Sequence, residues 1–192
     1  FFHSTCGGFT ANIEDVWDSD PLPYLKGVPD RDSHGFHCET SRHFRWSEEY
    51  SPGALRTILS ENLFREVPNA PRKIGTLRKI DAPERSSSGR VRYLSVETNR
   101  GRWRIRKDRI RWALRRPVDG NPILRSTYIR IFSEYDGHGS LLRVLISGAG
   151  NGHGVGMCQW GAIGMARKGY SVDQILAHYY RGTAVSGLRG AD

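Results

Sequence analysis

Apolar positions recur along this chain with two periods, and the switches between them mark its elements. Ala54, Leu55, Ile58, Leu59 and Leu63 fall at helical spacing. Ser51 ahead of them offers a capping hydroxyl, and Pro52 suits a first helical position, so the pattern predicts a helix over 52–63. Val91 and Tyr93 alternate with polar residues, and Trp103 and Ile105 alternate with arginines. The break at Asn99-Arg100-Gly101 joins these runs into a predicted hairpin. Residues 107–115 return to a helical pattern, with Ile110, Ala113 and Leu114 on one face. Two further strands are expected at 127–133 and 141–147, turning at Asp136-Gly137-His138-Gly139. Cys158–Arg167 reads as a helix closed by Gly169, and Ser171 with Gln174 forms a capping box for a helix over 172–180. The first ~46 residues, rich in His, Asp, Pro and Gly, are expected to be strand ends and ordered loop. The resulting fold class is α+β. Antiparallel hairpins form a mixed core sheet with short helices, two of them near the C-terminus after a Gly-rich loop.

That loop, Gly150-Asn151-Gly152-His153-Gly154-Val155-Gly156, is the densest concentration of candidate chemistry. Glycine permits positive φ and close backbone approach, and a histidine held there is poised for a ligand, a metal or a proton. A phosphate-cradling loop is excluded, because no Lys-Ser or Lys-Thr follows. A dinucleotide fingerprint is excluded as well: its third glycine is out of register and no βαβ unit surrounds it.

At 192 residues the chain is long enough for one ordinary domain with a real core. No apolar run reaches membrane-spanning length. The opening Phe1-Phe2-His3 reads like the middle of a strand, as in a fragment or processed chain. A net charge of +9 favours anionic partners: nucleic acid, anionic lipid or a cell-wall polymer. Arg90 to Arg116 holds eleven basic residues against Glu97 and Asp108. This is either a polyanion-binding face or a solvated hairpin surface. Trp103 lies opposite the cations, unlike a single-strand nucleic-acid platform. Trp17, Tyr24, Trp46, Trp160, Tyr179 and Tyr180 supply faces for sugar rings or for the core, with one of the adjacent tyrosines expected inward and one toward a cleft. His3, Cys6, His37, Cys38, His153 and Cys158 are the soft metal donors. Three cysteines with one histidine suit tetrahedral zinc, and a Cys6–Cys38 disulfide or free thiols are the other options.

Taken together, several segments resemble the SpoIID/LytB domain, a family that includes bacterial sporulation proteins and amidase enhancers. They are His3-Ser4-Thr5-Cys6-Gly7-Gly8-Phe9-Thr10, Val16-Trp17, Pro23 to Val28, Gly152 to Ala162 and Ile175 to Thr183. The resemblance extends over 1–192 as a single domain that begins midway, and it implies a peptidoglycan lytic transglycosylase acting outside the cytoplasm. In such enzymes the acid lies in a Glu-Met-Pro segment upstream of the His-Ser-Thr-Cys-Gly-Gly match. No Glu-Met-Pro occurs here, so no catalytic residue is carried over to this chain. The resemblance implies a glycan cleft lined by His3, Ser4, His153, Gly154, Gln159 and Tyr179. It also implies one zinc ion, with Cys6, Cys38, Cys158 and His37 as ligands. The expected partners are peptidoglycan glycan strands and, for an enhancer, a cell-wall amidase, with no specific nucleic acid.

Overall fold

A computed structural model describes residues 1–186. Ten strands and five α-helices follow one another along it. In chain order they are β1 (Phe2–His3), α1 (Ile13–Val16), β2 (Arg31–Asp32), β3 (Gly35–Phe36), β4 (Trp46–Tyr50), α2 (Pro52–Glu66), β5 (Leu77–Arg85), β6 (Val91–Thr98), β7 (Gly101–Arg106), α3 (Arg109–Ala113), β8 (Ile129–Tyr135), β9 (Leu141–Gly148), β10 (Met157–Cys158), α4 (Gln159–Arg167) and α5 (Val172–Tyr179). The α+β class stands. The hairpins form two three-stranded antiparallel sheets, β5-β6-β7 and β4-β9-β8, rather than one mixed sheet. The only parallel pairing among the described strands is the two-residue β1–β10 ladder.

Local chemistry explains the element ends. The Ser51 side chain accepts from Ala54 N–H, capping α2, which runs one turn past the expected end to Glu66. Asn99 and Arg100 make the two-residue turn between β6 and β7, with Thr98 opposite Gly101. Asp136 accepts from the amides of His138 and Ser140 and tightens the β8–β9 turn. The capping box of α5 is complete, with Ser171 and Gln174 bonded reciprocally.

Both sheets, α2 and α3 share one apolar core, in which Leu55, Leu59, Leu94, Ile105, Leu114 and Val144 are inaccessible to solvent. A smaller core surrounds the three cysteines with Val28, Met165, Ile175 and Tyr179. Between them Ala11, Ile13, Val16, Leu25 and Val155 form a third cluster, which seats the Gly-rich loop. No described helix is long and apolar enough to cross a membrane.

Candidate functional site: a buried thiol–carboxylate cluster under a glycine-rich loop

The Gly-rich loop is laced to the start of the chain. Thr5 and Asn151 exchange backbone hydrogen bonds of 3.0 and 2.7 Å, and Ala11 N–H donates to Gly154 O at 2.7 Å. Met157 N–H donates to Phe1 O, and β1 pairs with β10 just beyond. Side chains have no room in this interface. A Cβ at Gly154 would lie 2.6 Å from the Arg90 guanidinium carbon, and one at Gly156 would lie 2.9 Å from the Phe1 carbonyl carbon. Both residues also hold positive φ.

This lacing gathers Cys6, Cys38 and Cys158 from three distant segments and adds Asp30. Their donor atoms all lie within 4.8 Å of one another, and all four residues are buried. Cys6 Sγ is 2.9 Å from Asp30 Oδ2 and 3.4 Å from Cys38 Sγ. Tetrahedral thiolate ligation at about 2.3 Å sets sulfurs about 3.8 Å apart, so this donor set fits a metal ion with little movement. Backbone amides already point at the sulfurs: Gly8 N–H at Cys6 Sγ, and Cys6 and Gly161 N–H at Cys158 Sγ, all at 3.2–3.3 Å. Such bonds favour thiolate over thiol. Cys158 also caps α4, so helix and donor share one residue.

Charge in the cluster is unevenly shared. Burial raises the Cys6 and Cys158 thiols, whereas hydrogen bonds from both of them favour the Cys38 thiolate. Burial pushes the Asp30 carboxyl up to about 7. Arg90 is wholly buried beside this group. Its Nη2–H donates to Cys6 O at 3.1 Å and Phe9 O at 3.3 Å, and it has no carboxylate partner among the described residues. Four anionic donors outweigh a divalent ion, and Arg90 supplies a nearby compensating cation.

The expected metal set therefore needs one correction. His37 is adjacent to Cys38 in a turn, but its ring points away, packing edge-on against His178 and Tyr170. Asp30 takes the fourth place. No spacing marks it in the sequence, because it reaches the cysteines only through the fold. All three cysteines are free, with no Cys6–Cys38 disulfide.

The expected cleft residues are scattered in depth. His3 is buried, with Nδ1–H donating to Val155 O at 3.2 Å. The His153 ring bonds the backbone through both nitrogens, to Phe2 O and Val155 N–H, and stacks on Trp17 at 4.9 Å. Ser4 is half-buried against Thr5, Gly154 is buried, and Gln159 is exposed at the start of α4. Tyr179 lies inside rather than on a cleft wall, since its hydroxyl donates to Asp30 Oδ1 at 2.5 Å and its ring fills the cysteine core. Tyr180 is the more accessible of the pair, with its hydroxyl on Phe1 O. Trp17 turns its other side to an open cavity of ≈ 360 Å³, lined also by Asp18, Glu66, Lys107, Asp108 and Trp112. The basic run is partly neutralised: Arg92, Arg102, Lys107, Arg111 and Arg116 all pair with carboxylates.

Fold and cluster define an α+β protein whose thiol–carboxylate centre is roofed by a glycine loop. The chain belongs to the SpoIID/LytB family, and residues 31–156 match the family model of a domain of unknown function, DUF8618. It is 49% identical over 194 residues to Stage II sporulation protein D of Bacillus subtilis (strain 168), which covers 96% of this chain and 44% of that protein. The Stage II sporulation protein D of Bacillus amyloliquefaciens is 29% identical over the same shares. The amidase enhancer of Bacillus subtilis is 37% identical over 71 residues, 37% of this chain and 9% of that protein. The chain thus spans less than half the length of these relatives.

Proposed function

We propose that this chain is the glycan-binding body of a peptidoglycan lytic transglycosylase that works outside the cytoplasm on strands freed of stem peptides. The observation that carries the reading is the similarity to Stage II sporulation protein D over 96% of the chain. Two features support it. Trp17 and Trp112 border an open cavity beside the Gly-rich loop, and aromatic faces of this kind stack on sugar rings. The net charge of +9 suits a polymer that carries carboxylates.

In the proposed reaction a carboxylic acid protonates the glycosidic oxygen between N-acetylmuramic acid and N-acetylglucosamine. The muramoyl 6-hydroxyl attacks C1, the C1–O bond to the leaving sugar breaks, and a 1,6-anhydro end remains. The family resemblance places that acid in a Glu-Met-Pro segment, which does not occur in this sequence. Glu14 is paired with Lys26, and Glu48 is buried between Arg116 and Arg125. Cys6, Cys38, Cys158 and Asp30 would hold one zinc ion, which would supply a cross-link beneath the loop. Tyr179 would orient Asp30 from outside the ligand set.

A second reading, a non-catalytic module that assists a cell-wall amidase, is favoured by the 71-residue match to the amidase enhancer. Incubation with peptide-free glycan strands separates the two. The expected result is strand binding without 1,6-anhydromuramoyl ends by mass spectrometry, and appearance of those ends once the upstream segment is joined. Ends made by the 192-residue chain alone would show that the acid lies within it. Ends made by neither form would favour the enhancer.

A further inference from the structure

Next to the start of the loop, an open cavity of ≈ 430 Å³ is lined by Arg45, Arg85, Arg130, Tyr128, Gly148 and Ala149, among others. Three guanidinium groups converge there, and no acidic residue lines the cavity. None of the three is ion-paired among the described residues. Two are also held in place. Arg45 Nη1–H donates to Gly7 O at 3.0 Å and Phe44 O at 2.7 Å, and its guanidinium carbon sits 3.8 Å from the Phe44 ring centroid. Arg85 Nη1–H donates to Gly89 O at 2.9 Å. Burial, and then the Arg130 charge, hold Arg85 below the usual arginine range. Arg130 stands opposite Ser147 in the β8–β9 register, which aligns it with the same wall. Like charges drawn together and fixed by carbonyls cost free energy that an incoming anion relieves.

We infer that Arg45, Arg85 and Arg130 form a carboxylate subsite, and that its occupant is the carboxylate of a muramoyl residue whose stem peptide has been removed. The inference rests on the glycan reading above. In a peptide-bearing strand this carboxyl is an amide and carries no charge. Once free, it is an anion that matches the planar guanidinium fork. The cavity therefore gives a chemical basis for choosing stripped strands over peptide-bearing ones. Ala149 on its wall is four residues from His153, at most about 14 Å of chain.

The test is calorimetric binding of three tetrasaccharides to the wild-type chain and to Arg85→Gln/Arg130→Gln. The ligands are a peptide-free muramoyl–glucosaminyl oligomer, the same oligomer with its carboxyls converted to methylamides, and the neutral N-acetylglucosamine tetramer. Wild type is expected to bind the free-carboxylate oligomer about ten-fold more tightly than the methylamide, as charge-assisted hydrogen bonds imply. The double variant is expected to bind the two equally, at the methylamide affinity of wild type. Equal wild-type affinity for all three ligands overturns the subsite and leaves the glycan reading standing. No binding of any ligand overturns both. Discrimination that survives in the double variant places the carboxylate elsewhere and overturns the assignment. If the double variant fails to fold, Arg130→Gln alone serves, since the Arg130 side chain makes no hydrogen bond among the described residues, and it should lose at least half of the discrimination.

Discussion

His3→Asn puts the buried histidine to a quantitative test. The Asn amide keeps a donor near the Nδ1 position, so the bond to Val155 O survives while titration is lost. Burial, then the Arg90 charge, lower the folded His3 pKa from 6.5 to about 3. In the unfolded chain it titrates near 6.5. Above pH 7 both states are neutral and His3 adds no pH dependence. As pH falls through 6.5 the unfolded state takes up a proton and the folded state does not, so folding loses stability. At pH 5 that loss is RT ln(1 + 10^1.5), about 2 kcal/mol, and it keeps growing toward the folded pKa. Every other titrating group contributes equally to wild type and variant. Urea unfolding of both proteins at pH 7.5 and pH 5.0 therefore isolates the histidine. The advantage of wild type over His3→Asn is expected to shrink by about 2 kcal/mol between the two conditions. A constant or growing advantage would mean that His3 is protonated in the folded state. Its ring would then face water in a cleft, as the sequence reading expected, and the buried placement would be refuted.

Purified protein is expected to carry one zinc per chain by elemental analysis, and chelation is expected to lower stability by about 3 kcal/mol or more; metal-free protein with unchanged stability would exclude the ion. Tyr179→Phe should weaken zinc binding by about 10- to 100-fold by freeing Asp30, as loss of an outer partner does; an unchanged dissociation constant would leave Tyr179 as core filling alone. Gly161→Ala places a methyl against the Tyr179 hydroxyl and about 2.5 Å from the Asp30 carboxylate. It should cost about 3 kcal/mol in denaturant unfolding and reduce metal content, whereas a neutral effect would contradict the close approach of α4 to Asp30.

The elements that local chemistry encodes were legible. Ser51-Pro52 with four leucines and isoleucines specifies α2, and Ser171 with Gln174 specifies α5. Strand β4 was not. Its Trp-Ser-Glu-Glu-Tyr sequence reads as surface, yet Glu48 is buried because Arg116 and Arg125 arrive from sixty and more residues away. The three cysteines were legible as one cluster. The histidine beside Cys38 was an appealing fourth donor, but neighbours in a turn diverge, and Asp30 became the fourth member through packing alone. His153 stood out because histidine among glycines suggests a ligand, and His3 because the family resemblance implies a cleft position. Sequence does not reveal that His153 is bonded through both ring nitrogens, or that His3 is buried with Nδ1 on Val155 O.

The contact between Cys6 and Cys158 closes a ring of chain 152 residues long. Bringing such distant ends together costs about 4 kcal/mol of chain entropy before any contact rewards it. The β5-β6-β7 meander closes through short turns and faces no such delay. Assembly is therefore ordered in time. The β5-β6-β7 meander can mature first, whereas the β4–β9 pairing, the thiol cluster, β1 and the loop above them all wait on distant segments. The end of the molecule that carries the proposed glycan site then exists only in chains that have finished folding.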